Sequence, residues 1–444
     1  MTKAKLHTTA VILAAGLGTR MKSSLPKAIH RLGNRPMITH LIETAKQIFD
    51  DVVVVVGPDM PELERAAQPY RTVVQSERLG TGHAAKMAES LFGDGDVAIL
   101  YADNPLITAQ TMHRLLDARR SGASLSLLGM RPSDPGKYGR LIEENGHVLR
   151  IVEYKDATEA EREIGLCNAG VMCADANDFR RWLSELENNN AQGEYYLTDV
   201  VEMAARSGQV LCVEAPEEEL AGVNSRAELA RAEATLQQRM RQAAMDGGVT
   251  LVAPETVFFS ADTQISQDVV IEPNVFFGPG VKIASGSVIR AFSHLEGCTV
   301  GEGAMIGPYA RLRPGTHCAT NSHVGNFVEL KNVELGTGAK ANHLTYLGDA
   351  SIGAGTNVGA GTITCNYDGV FKHRTVIGER TFIGSNSILV APVEIGDDAL
   401  VAAGSVITEN VSAAALALGR ARQCEKPGRG LAIKHALKAK KEQG

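Results

Sequence analysis

From residue 265 onward an aliphatic residue, occasionally Phe, Cys or Ala, returns at nearly fixed spacing, and no other feature of the 444-residue chain limits its fold so strongly. Ile265, Ile271, Phe277, Ile283, Ile289 and Leu295 lie six apart. After one shorter step come Val300, Ile306, Leu312, Cys318, Val324 and Leu330, then Ile352 and Val358, then Ile377, Ile383, Leu389, Ile395, Val401 and Ile407. A period of six suits neither a helix, whose apolar stripe repeats at three and four, nor a hairpin strand, which alternates. It suits a coil of triangular cross-section, each side a short parallel strand, with the aliphatic side chains stacked inside. The spacing predicts a left-handed parallel β-helix. The rhythm breaks between Val358 and Ile377, where Cys365 to Thr375 reads as a loop expelled from the coil. Loops on rigid scaffolds often carry function. Past Val411 the pattern ends. The tail from Gly419 is basic (Arg420, Arg422, Lys426, Arg429, Lys434, Lys438, Lys440, Lys441). Its last dozen residues are expected to be solvated and partly disordered, while its earlier part could reach an anionic ligand.

The first half has a different grammar. Residues 9–224 alternate buried-strand runs, such as Val52–Val56 and Val97–Tyr101, with helical stretches at Met37–Phe49, Gly82–Phe92 and Thr108–Arg120. Uninterrupted apolar runs suit parallel strands covered by helices on both faces, hence an open α/β sheet. Ser225-Arg-Ala-Glu228 has the spacing of a capping box opening a helix to about Met245, which Gly247-Gly248 stops. The expected fold class is therefore α/β: a Rossmann-like domain over 1–224, a linker helix over 225–248, and a left-handed parallel β-helix with a basic tail over 249–444.

Composition narrows the function classes. A net charge of −6 argues against nucleic acid as the main partner. Seven scattered cysteines without Cys-x-x-Cys spacing make a disulfide framework or zinc site an unlikely design and fit a reducing, cytoplasmic setting. The apolar run Val11–Ala15 is too short for a signal peptide and continues into a Gly-rich turn. No window is long and apolar enough to insert into a membrane.

Val11-Ile-Leu-Ala-Ala-Gly-Leu-Gly-Thr-Arg-Met21 is a strand running into a Gly-rich turn. Gly16 and Gly18 allow close backbone approach to phosphates. Met21 stands where a dinucleotide fingerprint has its third Gly, and the Gly-Lys-Ser/Thr of a P-loop is missing. Arg20 and Lys27 follow instead, two cations suited to a nucleoside triphosphate losing pyrophosphate. The whole string, through Pro26-Lys27, resembles the signature of sugar-1-phosphate nucleotidyltransferases. Leu13, Ala14, Ala15, Gly16, Arg20 and Lys27 would then meet the nucleotide, and Gln75, Gly80 and Thr81 resemble the base-reading segment. Leu100-Tyr-Ala-Asp103 resembles the family's metal segment, with Ala102 in place of the usual Gly. Asp103 would hold Mg²⁺ between phosphates, with Asn224 as second ligand. Tyr138-Gly139-Arg140, Glu153 and Asn168-Ala-Gly170 resemble the sugar-binding segments, where Asn-Thr-Gly is the more usual third string, and the resemblance adds Tyr101 to the residues binding nucleotide and UDP-sugar.

In the second half, Ala310–Gly315, Val324–Glu329, His343–Asp349 and Gly359–Gly369 extend the resemblance over nearly the whole chain, to the bifunctional N-acetylglucosamine-1-phosphate uridyltransferase / glucosamine-1-phosphate acetyltransferase family. That resemblance implies acetyl-CoA and UTP as co-substrates, glucosamine-1-phosphate and N-acetylglucosamine-1-phosphate as sugars, and a homotrimer with acyl sites between subunits. An amine attacking a thioester needs a base near neutral pH, and the family places His343 there. It places Arg313 and Lys331 at the sugar phosphate, and Tyr346, Asn357, Asn366 and Tyr367 at sugar and coenzyme. Ala360, Ser385 and Ala403 would line the coenzyme groove through backbone atoms, and Arg420 would meet its phosphates. Two alternatives remain open at this stage: a nucleotidyltransferase whose β-helix is only structural or regulatory, and a scaffold that has lost both activities.

Overall fold

The structure is a computed structural model that describes residues 7–443. Grouped by backbone contacts, the chain separates into two compact units, with the seam between Met240 and Arg241.

In the first unit the apolar runs form one mixed sheet. Its main strands are β1 (Thr8–Leu13), β2 (Asp51–Val56), β3 (Arg71–Val74), β4 (Asp96–Tyr101), β5 (Leu125–Met130), β6 (Cys167–Asp175) and β7 (Val210–Glu214). They lie in the order β7-β5-β6-β4-β1-β2-β3. All neighbours are parallel except β6, which runs antiparallel to both β4 and β5. The expected parallel strands, Val52–Val56 and Val97–Tyr101, both pair parallel with β1, and the open sheet becomes mixed only through β6. A hairpin, Arg140–Glu144 with His147–Val152, precedes β6 and pairs with its start. The three expected helices are present at Met37–Ala45, Thr81–Met87 and Ala109–Arg120, the last capped by the Thr108 side chain. β1 and β2 are almost wholly buried, so two apolar layers sandwich the sheet.

The connecting helix is Arg226–Asp246. Its cap differs from the expected box by one residue. The Glu228 amide donates to the Ser225 hydroxyl, but the Glu228 carboxylate accepts from the Asn224 amide, at 2.6 Å. The helix's first turns belong to the first unit. Leu229, Ala232 and Leu236 pack on Leu32, Met37, Leu106 and Val223, and Glu233 accepts from the Gly33 amide. A fragment ending at residue 240 is therefore expected to melt roughly 6–12 °C above one ending at 224. That range follows from about 3 kcal/mol of lost apolar burial at about 2–4 °C per kcal/mol for a unit of this size. Calorimetry of the two fragments checks it, and equal melting would show that the helix adds nothing.

In the second unit the six-residue period becomes three columns of stacked parallel strands. One column carries Leu251, Ile271, Ile289, Ile306, Val324, Ala341, Val358, Ile383, Val401 and Ala417 in register. The second carries Ile265, Ile283, Val300, Cys318, Leu335, Ile352, Ile377 and Ile395. The third carries Phe277, Leu295, Leu312, Leu330, Leu347, Leu389 and Ile407. The expected break is narrower than the sequence suggested. Cys365 lies in a strand, Ile363–Cys365, and Thr364 takes the inner place between Leu347 and Leu389. Its hydroxyl is bonded to both the amide and the carbonyl of Gly348, so a polar side chain is satisfied inside the coil. Only the stretch after it leaves the coil. The tail also differs from expectation. Arg429–Glu442 is an α-helix, exposed along its length. Ala, Leu and Lys dominate it, all good helix formers, which explains helix without a packed face.

Candidate active sites

The first site lies at the carboxyl ends of β1, β2 and β4, where open α/β sheets place ligands. Leu13 ends β1, and the next amide, Ala14, donates to the Val55 carbonyl at 2.8 Å. Ala15 is buried, while Gly16 and Arg20 face outward. At Gly18 φ is +62°, and a Cβ there would lie 2.5 Å from Cβ of Lys27. Only glycine lets the Lys27 backbone approach the loop so closely. Lys27 Nζ donates to Asp103 Oδ2 at 2.6 Å and to Asn224 Oδ1 at 2.9 Å. Asp103 and Asn224, far apart in sequence, thus present two oxygens to one point. The backbone at Ala102 lies outside the left-handed region, so alanine in place of glycine leaves this turn unstrained. On the other flank Gln75 is buried, donates to the Gly80 carbonyl at 3.1 Å, and lies 3.1 Å from His83 Nδ1.

Tyr101, Gly139, Glu153 and Asn168 form a neighbouring cluster. Thr81 hydrogen-bonds the Tyr101 hydroxyl, whose pKa burial pushes far above its ordinary value. The Asn168 amide donates to the Gly139 carbonyl at 2.8 Å, and the Asn168 side chain accepts from the Gly170 amide at 2.9 Å. Gly170 has φ +80°, and a Cβ there would fall 2.1 Å from the Tyr101 ring. Glu153 accepts from the Thr198 hydroxyl at 3.2 Å. Burial raises its pKa, and the charges of Asp199 and Asp156 add to that. Glu153 lines a cavity of about 300 Å³ with Asp156, Tyr196 and Asp199. Asp199 is itself pushed up to about 6, by burial first and then by Glu202 and Asp156. Arg140, adjacent to Gly139 in the sequence, turns away. Its guanidinium is buried and donates to the carbonyls of Pro135, Gly136, Tyr138 and Arg162.

The second site runs along one edge of the β-helix. His343 ends the strand Lys340–His343 and is exposed. The His343 carbonyl accepts from Gly361, the Ala360 carbonyl from Asn386, and the Ser385 carbonyl from Gly404. His343, Ala360, Ser385 and Ala403 therefore mark successive turns of one corner, and the chain reaches Arg420 just beyond, where the Gly419 amide donates to Ser405. On the adjoining face Arg313 and Lys331 hold the same place in consecutive strands, as do Glu329 and Tyr346. Arg313 pairs with Glu329 at 2.9 Å. Asp349 accepts from Asn332 and Asn366 and lies 3.9 Å from Lys331. Burial works to raise the Asp349 pKa, but the two amide donors together with the charges of Lys331 and Lys372 hold the carboxyl below its ordinary value. Asn357 is half-buried, in register with Lys340 and Phe382. Tyr367 is exposed in the expelled loop, its hydroxyl donating to the Gly369 carbonyl at 2.6 Å.

Three side chains at these sites escaped the sequence reading. Asn326 Oδ1 lies 2.8 Å from His343 Nδ1. Lys372, in the expelled loop, is bonded to Lys331 and depresses the Lys331 pKa, with burial acting the same way. Arg78 Nε donates to the Ala15 carbonyl at 2.9 Å. Asn326 could have been found from the repeat, because it and His343 occupy the same place on consecutive turns. The other two carry no such signal.

A phosphate-approaching loop with converging oxygens, followed by a hexapeptide coil bearing an exposed imidazole, defines a nucleotidyltransferase joined to an acyltransferase. Comparison with known proteins agrees. Residues 10–153 match the MobA-like NTP transferase domain, and residues 374–409 match the hexapeptide repeat of succinyl-transferase. The chain is 77% identical over 444 residues to the bifunctional protein GlmU of Gluconobacter oxydans (strain 621H), covering 100% of both chains. It is 64% identical over 442 residues to that of Gluconacetobacter diazotrophicus (98% of this chain, 96% of the relative) and 60% over 431 residues to that of Acidiphilium cryptum (97% and 99%). The chain belongs to the GlmU family of bifunctional uridyltransferases and acetyltransferases that make UDP-N-acetylglucosamine. Among the described residues no helix is long and apolar enough to cross a membrane.

Proposed function

We propose that the two sites act in sequence, acetyl transfer at His343 and uridylyl transfer around Lys27, Asp103 and Asn224. The hydrogen bonds from Lys27 to Asp103 and Asn224 carry the uridylyl assignment, because they gather a cation and two oxygens beside the Gly-rich loop. Hard oxygen donors in that number suit Mg²⁺, which keeps its remaining positions for phosphate and water. Asp103 and Asn224 would hold it, and when bound it supplies neutralisation of the triphosphate and the departing pyrophosphate. Lys27 and Arg20 would hold phosphate oxygens, Gln75, Gly80 and Thr81 the base, and Tyr101, Gly139, Glu153 and Asn168 the sugar. A phosphate oxygen of N-acetylglucosamine-1-phosphate then attacks the α-phosphorus of UTP, and pyrophosphate leaves.

In the acetyl site His343 would take the proton from the glucosamine-1-phosphate ammonium. The freed amine attacks the thioester carbonyl, the adduct breaks its C–S bond as the nitrogen gives up a second proton, and the departing sulfur takes up a proton to leave as the coenzyme A thiol. Arg313 and Lys331, with Lys372 beside them, would bind the sugar phosphate. Tyr346, Asn357, Asn366 and Tyr367 would position sugar and acetyl group. Ala360, Ser385, Ala403 and Arg420 would form the coenzyme track, a role supported by their alignment along one corner.

We further infer a homotrimer packed about that edge. Phe292, Tyr309 and Phe327 form an exposed stack at it, with ring centroids 4.9 and 5.1 Å apart, and Leu344 continues the row. All four sit at positive φ, an unfavourable place for bulky residues. Phe382, Leu400 and Leu416 on one flanking face, and Ile363, Ile388 and Val406 on the other, are also exposed. The third face presents mainly polar residues, among them Lys282, His317, Glu334 and Glu394. One apolar edge on a long prism suits self-association.

Two measurements test this reading. Incubation with glucosamine-1-phosphate and acetyl-CoA is expected to release thiol, and pyrophosphate should follow only when UTP is added to the acetylated product. Pyrophosphate release without prior acetylation, at the same rate, would overturn the order. Phe327→Glu is expected to dissociate the assembly in sedimentation and lower acetyl transfer at least about 10-fold, since it buries a charge in each interface. An unchanged sedimentation coefficient would exclude this edge as the interface.

A further inference from the structure

We propose that Asn326 is the positioning residue of the acetyl site, holding the proton of the His343 imidazole on Nδ1 so that Nε2 carries the free lone pair. This rests on the reading of His343 as the base.

The observation is local and specific. Asn326 and His343 are the last residues of their strands, one turn of the coil apart and in register, and their side chains meet at 2.8 Å between Oδ1 and Nδ1. Below them the Leu344 amide donates to the Asn326 carbonyl, which fixes both backbones. A neutral imidazole has one N–H and one lone pair, so an acceptor at Nδ1 decides where each resides. With the carboxamide oxygen as acceptor, Nδ1 donates and Nε2 is the basic nitrogen. The acceptor is uncharged. A carboxylate in that place would hold the imidazole in its cationic form to higher pH, and a protonated imidazole cannot take a proton from the amine. An amide sets tautomer and ring orientation without that penalty. Of the titratable groups near this corner, His323 couples to His343 directly, while Arg290 and Lys340 act on His323. None of them is an acceptor for Nδ1 among the described residues, so Asn326 alone performs the task.

Two variants separate this role from a merely structural one. Asn326→Leu keeps the shape and removes the acceptor. It is expected to lower kcat for acetyl transfer about 10- to 100-fold, the range typical of losing a histidine's orienting partner, with KM for both substrates within about two-fold. Asn326→Asp keeps the acceptor and adds charge. It is expected to recover kcat at high pH and to move the acid limb of the kcat/KM profile upward by about one unit. Uridylyl transfer, unchanged in both, reports that the first unit is folded, and KM values within about two-fold report the same for the acetyl site. Native kcat in Asn326→Leu, or an unshifted limb in Asn326→Asp, would overturn the proposal. His343→Ala distinguishes the two levels. If it keeps acetyl transfer, the base assignment itself fails. If it is inactive while Asn326→Leu is not, only the positioning role fails.

Discussion

Asp103→Asn is expected to lower pyrophosphate release from UTP about 100- to 1,000-fold while leaving thiol release from acetyl-CoA unchanged. The substitution alters few contacts, since an amide oxygen still faces Lys27. What it removes is charge. Asp103 is the only carboxylate paired with Lys27 among the described residues, and the pair is largely withdrawn from water. The remaining amide oxygens of residues 103 and 224 are weaker ligands for a hard divalent cation than a carboxylate. Two readouts are linked by this argument. Raising the Mg²⁺ concentration should recover part of the lost rate, because the defect lies in ion affinity. Asp103→Glu should lose less than Asp103→Asn, because it keeps the charge and displaces it by one methylene. Native uridylyl activity in Asp103→Asn would remove the metal assignment and leave Lys27 as a phosphate ligand alone.

The architecture was legible where a single period governs the chain and obscure where geometry depends on partners. Every inner residue named from the six-residue rhythm faces the core of the coil, apart from the half-buried Ile265 at its beginning. The rhythm hid Leu335, Ala341 and Leu347, because the steps into Leu335 and Ile352 are one residue short and Ala341 is too small to signal a core position. Thr364 escaped for a different reason. A threonine reads as outward, and only the placement of Gly348 shows its hydroxyl satisfied inside. Strand direction in the first unit was legible for Val52–Val56 and Val97–Tyr101, which are parallel as expected, but not for Cys167–Asp175. Cys167–Asp175 is as apolar as its neighbours, and apolarity reports burial but not polarity of the chain. Candidate site residues carried by contiguous strings, such as Leu13–Lys27 and His343–Asp349, could be named together from the sequence. Asn326, Lys372 and Arg78 act through neighbours brought in by turns of the coil or by loops, and a linear motif does not encode those meetings.

His343→Ala is expected to lower acetyl transfer about 100- to 10,000-fold, the usual worth of a positioned general base, with uridylyl transfer intact. The substrate amine is an ammonium ion at neutral pH, and the thioester carbonyl reacts only with its free form. On the proposed reading, the exposed imidazole at the corner of the coil would supply the base where the coenzyme track would begin. Removing it leaves solvent to deprotonate the amine. The residual rate should therefore climb steadily with pH, following the free-amine fraction. The native enzyme should instead level off once the imidazole is neutral. That difference in shape separates loss of the base from loss of substrate binding, because a binding defect would scale the whole profile without changing its form. Arg313 and Lys331 remain in place, so KM for the sugar phosphate should stay within about two-fold while kcat falls. A uniform scaling of the native profile, with KM raised and kcat preserved, would assign His343 to substrate binding and leave the proton acceptor elsewhere on this edge.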